Sequence, residues 1–277
     1  MARLSKTRLL LSFFRFSLTK ILIISNVIVF FLFLIISSFF DISSYVFLTP
    51  ALVAKGYMWT LLTSMFLHAG AFHLFINMFS LFFLGELVER IIGRKRLFWI
   101  YFIGGIVASI FFVVFAYIGA YVPRGDFLFG TISTPAVGAS GAIFALVGLL
   151  AVLIPRKQVY LIVGPLILII LEFAFIGVFP SSAQGIITIF VNVLLFMMIF
   201  SIFSSNRFLR SVAIPLRLPF WAVPFVAILP LFVIGFFVRL PFGNTGHLGG
   251  LIAGLIYGSY LRTKYSRKVR MLNRAFA

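Results

Sequence analysis

Eight long apolar runs leave this chain few ways to fold. They fall near 21–40, 72–88, 97–121, 140–154, 159–178, 185–203, 220–238 and 247–261. A bilayer core of about 30 Å takes roughly 20 apolar residues to cross as a helix. Of the 277 residues, 63% are apolar and only 10% charged, with a mean hydropathy of +1.21. Soluble domains are about half apolar and about a quarter charged, so this chain has no charged coat for a soluble core. A soluble globular domain, intrinsic disorder and a secreted disulfide scaffold are all excluded. With no cysteine, disulfides, thiolate metal sites and cysteine nucleophiles are excluded as well. The run at 140–154 is short and glycine-rich, which suits a helix packed centrally, away from lipid. The first run is too long for a cleaved signal and lacks a small-residue cleavage pattern before Asp41.

The charges then orient the spans. Lys and Arg total 23 against 5 Asp and Glu, a net +18. If the spans alternate, 20 of the 23 fall on one side: those before the first span, those of the 90–96 turn, Arg156 and Lys157, those between the sixth and seventh spans, and those of the C-terminal tail. Lys55, Arg124 and Arg239 are left for the other side. The positive-inside rule then puts both termini in the cytoplasm. Dropping or adding one span would scramble the separation, so eight is the expected count. The basic residues read as topology and attraction to anionic lipid, with no nucleic-acid partner. The expected fold class is all-α: a polytopic membrane helix bundle, one domain over 1–277, with a basic cytoplasmic N-terminus at 1–20 and a basic cytoplasmic tail at 262–277. The outer connection 41–71 is apolar enough to lie in the interface or pack on the bundle, and 121–139 is a second outer loop rich in Gly, Pro, Ser and Thr.

Polar groups at membrane depth are costly and mark candidate function. His68, His73 and His247 all fall near the outer end of a span. Asn77 follows His73 by four residues, so the two share a helix face. They read either as donors holding an oxygen or as polar groups gluing helices together. Gly138-Ala139-Ser140-Gly141 leads into the fourth span. Ser140 stands there at a helix start, where backbone N–H groups are unpaired. It reads as a nucleophile turn or as a plain cap. In the last span Gly246, Gly250, Gly254 and Gly258 recur every four residues, a ridge that lets another helix reach backbone contact. Gly141, Ala145 and Gly148 offer a matching face. Packing the two would bring Ser140 beside His247, a nucleophile–base pair, with Phe144 one turn below to stack on the imidazole. No acidic residue is placed to orient His247, so a dyad is expected, and not a triad. His73, Asn77 and the Ser140 N–H would supply donors for a developing oxyanion.

These residues resemble the rhomboid family of intramembrane serine proteases, over about Trp59 to Tyr260. His68-Ala-Gly-Ala-Phe-His73-Leu-Phe-Ile-Asn77 resembles the family's second-helix pattern, Gly138–Gly141 its GxSG motif, and Gly246-His247-Leu-Gly-Gly250-Leu-Ile-Ala-Gly254 its last core helix. The resemblance implies Ser140 as nucleophile, His247 as general base and His73, Asn77 and a backbone amide as oxyanion hole. His68, Gly138, Gly141, Phe144, Gly250 and Gly254 would support them. It also implies a six-helix core, here with about two additional spans, no cofactor, and cleavage of transmembrane protein substrates near their outer end. A prokaryotic plasma membrane is the expected location.

Two departures stand out. Where the family often has Trp-Arg, this chain has Trp59-Thr60, and 107 positions separate Ser140 from His247, room for three helices where the core has one. Two added helices keep the parity of the last span. Either 220–238 or 159–178 would be the core fifth helix. The rival readings are an inactive rhomboid-like protein that binds membrane clients, and a transporter. The latter lacks a broken-helix pair flanking a charge. A zinc protease would want His-Glu-x-x-His, which is absent.

Overall fold

The computed structural model describes residues 17–206, 208, 211, 213–235 and 243–275. Arg3, Lys6, Arg8, Arg15, Arg207, Arg210 and Arg239 lie outside the described residues. The chain is a polytopic helical membrane bundle. Long helices are α1 (Leu18–Ser37), α5 (Ala71–Ile92), α6 (Arg94–Gly119), α8 (Ser140–Leu153), α9 (Gly164–Phe175), α10 (Ser181–Ser201), α11 (Val223–Gly235) and α12 (Asn244–Lys264). Short helices α2 (Ser43–Val46), α3 (Pro50–Ala54) and α4 (Thr60–Thr63) fill the first outer connection, α7 (Gly125–Phe129) the second, and α13 (Ser266–Ala275) closes the chain. All eight apolar runs are therefore helical over most of their length. Among the described residues, α1, α5, α6 and α10 are each long and apolar enough to cross a membrane alone, while α8, α9 and α11 are shorter.

One local feature departs from the expected helical pattern. The bundle is not wholly helical. Gln158–Ile162 forms strand β1, antiparallel to β2 (Pro215–Pro219), so the run at 159–178 opens as a strand. Val159, Tyr160 and Ile162 are β-branched or aromatic and alternate faces, as a strand requires. Pro165 then starts α9 near its first position, where a missing N–H costs nothing. In the basic tail, residues 262–275 complete α12 and form α13.

Local signals account for the boundaries. Ser17 caps α1 by accepting the Lys20 N–H. Glu89 extends the cap: its Oε1 accepts the Leu18 N–H at 2.9 Å, and its Oε2 accepts the Thr19 N–H at 3.0 Å and the Thr19 hydroxyl at 2.8 Å. Glu86 accepts the Ser17 hydroxyl at 2.6 Å. Both acids of the second span thus fasten the first helix. Gly93, at φ +85°, turns α5 directly into α6, a left-handed conformation that favours glycine.

One of the shorter core helices is the most buried. In α8, Ala142, Ile143, Ala145, Leu146, Leu149, Leu150 and Leu153 are all buried, and a helix apolar on every side belongs in a core. It packs on α5, α6, α11 and α12. The outward faces carry Phe31, Ile35, Phe82, Ile103, Ile189 and Ile256, all exposed, the composition of a lipid-facing shell. Strands β1 and β2 flank the α9–α10 pair, β1 leading into α9 and β2 following α10. Helix α10 packs on α5 through rings such as Phe196 on Phe75, 5.0 Å between centroids. Helix α11 packs on α8 and α12.

Candidate active site

The glycine ridge decides how close two helices come. A methyl group at Gly250 would collide with the Gly141 carbonyl, and one at Gly254 with the Ala145 carbonyl. At Gly148 it would meet the Leu251 carbonyl. Helices α8 and α12 therefore touch backbone to backbone, as small-residue faces permit. Gly141 is tight on its other side too, against Ala108 of α6.

That contact sets the N-terminal ends of the two helices side by side. Ser140 Oγ lies 2.8 Å from His247 Nε2. The Phe144 ring stacks on the imidazole, with centroids 4.5 Å apart and planes at 20°. His247 Nδ1 is buried and meets no protein partner among the described residues. Ser140 is the first residue of α8, so its own N–H and the next few lack intrahelical acceptors.

The donor side comes from α5 and the loop before Ser140. Gly138, at φ +128°, has a conformation that side chains rarely adopt, and the space is closed as well: a Cβ there would lie 2.9 Å from His73 Cε1 and 3.0 Å from His73 Nε2. The Gly138 N–H donates to the Ser64 carbonyl at 2.9 Å, which fixes the loop. The Ala69 N–H donates to His73 Nδ1 at 3.4 Å, which leaves the ring proton on Nε2, facing the loop. Asn77 is buried and donates one amide hydrogen to the His73 carbonyl at 2.9 Å, keeping the second free. His73, Asn77, Ser140 and His247 all line one cavity of about 760 Å³. His68 does not reach it. It is buried edge-on against His73, 5.2 Å between centroids. Among the described residues no group of three or more His, Asp or Glu could hold a metal ion.

The first outer connection roofs the site. Leu48 and Ala136 exchange backbone hydrogen bonds at 3.1 and 2.8 Å, and the Ala51 N–H donates to Ile132. Trp59 Nε1 donates to the Tyr45 carbonyl at 2.7 Å and the Thr63 hydroxyl to Val46 at 2.9 Å. The Thr60 hydroxyl serves its own turn, at Tyr57. The loop is thus held by an indole and a threonine, with no arginine. Sequence reasoning missed Ser64, Ala69 and Phe173. The first two act through backbone atoms, which carry no residue signal. Phe173 comes from α9 to line the cavity, one of 38 phenylalanines with nothing to single it out.

A helical membrane bundle with a serine and a histidine from neighbouring helices at one end defines a narrow class, and the comparisons agree with it. A Rhomboid domain model matches residues 55–193, half of the chain, and the chain belongs to the rhomboid family. The match holds His68, His73, Asn77 and Ser140 but stops inside α10, so His247 joins the site through the fold. The chain is 37% identical over 112 residues to rhomboid protease GluP of Bacillus subtilis, covering 40% of this chain and 19% of that protein. It is 35% identical over 133 residues to putative rhomboid protease YdcA of the same organism, covering 47% and 59%. It is 43% identical over 82 residues to inactive RHOMBOID-like protein 8 of Arabidopsis thaliana, covering 30% and 23%. The matched stretches thus span between about a fifth and three fifths of these relatives.

Proposed function

We propose that this protein is an intramembrane serine endopeptidase that cuts transmembrane segments of membrane proteins near the outer face. The observation that carries the reading is the 2.8 Å contact between Ser140 Oγ and His247 Nε2, with Phe144 stacked on the imidazole. Nε2 takes the hydroxyl proton as Oγ attacks the scissile carbonyl. The charge that builds on the carbonyl oxygen meets Nε2–H of His73, the free amide hydrogen of Asn77 and the Ser140 N–H. Protonated His247 then gives its proton to the leaving amine, and water hydrolyses the acyl-enzyme by the same path in reverse. No carboxylate stabilises the imidazolium, so the ring of Phe144 is the group left to do it.

The basic ends of the chain face the cytoplasm in this reading, eight helices span the membrane, and Ser140 opens toward the outer side of a prokaryotic plasma membrane. The bacterial relatives support that location, although others are named mitochondrial and chloroplastic. Fluorophosphonate labelling of the reconstituted protein, alongside cleavage of a helix-destabilised single-span substrate, tests the reading. Labelling and cleavage are expected in the wild type and absent in Ser140→Ala and His247→Ala. Equal cleavage by wild type and Ser140→Ala would refute it. The relative named inactive supports a second reading, a client-binding protein without catalysis, which folded but unlabelled wild type would favour.

A further inference from the structure

A second cavity, of about 880 Å³, lies at the other end of the bundle. Four arginines line it from three elements: Arg156 after α8, Arg262 on α12, and Arg270 and Arg274 on α13. None has a carboxylate partner among the described residues. The chain's acids sit elsewhere: Glu86 and Glu89 hold α1, and Asp41, Asp126 and Glu172 lie on the α1–α2 turn, α7 and α9. Four exposed arginines around one cavity without a counter-charge make a positive field that favours an anion there.

The lining also says what the anion is attached to. Beside the arginines stand the Ser266 hydroxyl and three apolar groups, Pro155, Val269 and the half-exposed indole of Trp221. Free phosphate needs only the first set, whereas a phospholipid headgroup with its glycerol and upper chains uses both. Tryptophan at this level is typical of the membrane interface. The walls are also fixed in place. Val269 and Leu272 pack on the core, and Asn273 Nδ2 donates to the carbonyl of Leu153, the last residue of the Ser140 helix, at 2.8 Å. The Trp221 N–H donates to the Pro155 carbonyl at 3.2 Å. We infer that this cavity is a binding site for the phosphate headgroup of an anionic phospholipid, made by Arg156, Arg262, Arg270 and Arg274. A basic pocket between helix ends is the recognised form of such sites, and guanidinium forks match phosphate oxygens two at a time.

The test uses the full chain exposed to equimolar phosphatidylglycerol and phosphatidylcholine of matched acyl chains, with retained lipid read by native mass spectrometry. Wild type should retain phosphatidylglycerol preferentially. Losing two charge-assisted hydrogen bonds should cut that preference about tenfold in Arg270→Gln with Arg274→Gln. The pair Arg94→Gln with Lys95→Gln removes the same charge outside the cavity and should change it by less than about twofold. Arg270→Lys with Arg274→Lys keeps the charge and loses the forks, so preference should fall here too. Wild-type preference in the lysine pair, or equal loss in the two glutamine pairs, would mean a diffuse surface field and overturn the site. A third arm titrates inorganic phosphate: displacement of phosphatidylglycerol by micromolar phosphate would overturn the lipid assignment. Thermal unfolding without lipid should be alike for all variants, since these side chains are exposed.

Discussion

Replacing Gly250 by alanine adds one methyl group and should disable the site. The new Cβ would lie 2.9 Å from the Gly141 carbonyl carbon and nearer still to its oxygen, against an ordinary contact of 3.4–4 Å. Neither atom can swing aside, because both are backbone. Helices α8 and α12 must therefore part by about 1 Å, since interiors this dense have no slack. Gly141 adjoins Ser140 and Gly250 lies one turn below His247, so the parting is felt at the 2.8 Å Oγ–Nε2 contact. A displacement of about 1 Å between reacting groups costs on the order of 100-fold, or about 2.7 kcal/mol of barrier. The overpacking itself should cost about 1–3 kcal/mol of stability. Gly258→Ala is the comparison, because there the new Cβ is less crowded, with Val152 Cβ at 3.0 Å and the Leu149 carbonyl oxygen at 3.2 Å, two turns further from the site. It should keep activity within about threefold. The assay is the initial rate of single-span substrate cleavage in vesicles, with fluorophosphonate labelling rate as a second readout. Wild-type rates in Gly250→Ala, or equal losses at both positions, would refute the view that the ridge sets the Ser140–His247 distance.

Other perturbations should separate the parts of the site. Asn77→Ala and His73→Ala each remove a proposed oxyanion donor and should lower kcat by about 10²–10³-fold with KM little changed, measured by the same cleavage assay. Phe144→Leu keeps volume but removes the ring over His247; a loss of about 1 kcal/mol, or roughly fivefold in kcat, is expected. Glu89→Ala strips the Leu18 and Thr19 amides of their acceptor and should cost about 1–3 kcal/mol, seen as a lower Tm. Its kcat per folded molecule should stay within about twofold, because Glu89 is remote from the site.

Much of this molecule was legible in its residues because lipid leaves few options. The apolar runs became helices to within a few residues at most ends, and the pairing of Gly250 with Gly141 followed from two small faces at matching depth. The four-residue step from His73 to Asn77 put both on the cavity wall. Legibility ended where the backbone supplies the contact: the Ser64 carbonyl under Gly138 and the Leu48–Ala136 bridge leave no mark on side-chain identity. It ended again at Gln158–Ile162. A short apolar strand and the first turns of a span have the same composition, and only pairing with Pro215–Pro219, more than 50 residues away, distinguishes them.

The scarcity of acids links the two ends of the bundle. Of five carboxylates, Glu86 and Glu89 are committed to the start of α1, where three hydrogen bonds to Glu89 alone repay its desolvation. None is left near His247, and Nδ1 of that ring is buried without a protein partner among the described residues. In a triad a carboxylate would stabilise the imidazolium and orient the ring. Orientation, the other task of a carboxylate, passes to packing: Phe144 fixes the ring plane, and the Gly250–Gly141 contact fixes its distance from Ser140. The cost of that arrangement is sensitivity to helix separation, and α8 is the helix most exposed to it. Its inner end is held at Leu153 by Asn273 of α13, in the wall of the arginine-lined cavity. Asn273→Leu removes that tie, and a fall in kcat without loss of fluorophosphonate access would show that the inner end of α8 helps hold Ser140 in register. Unchanged kcat would place the whole burden on the glycine ridge.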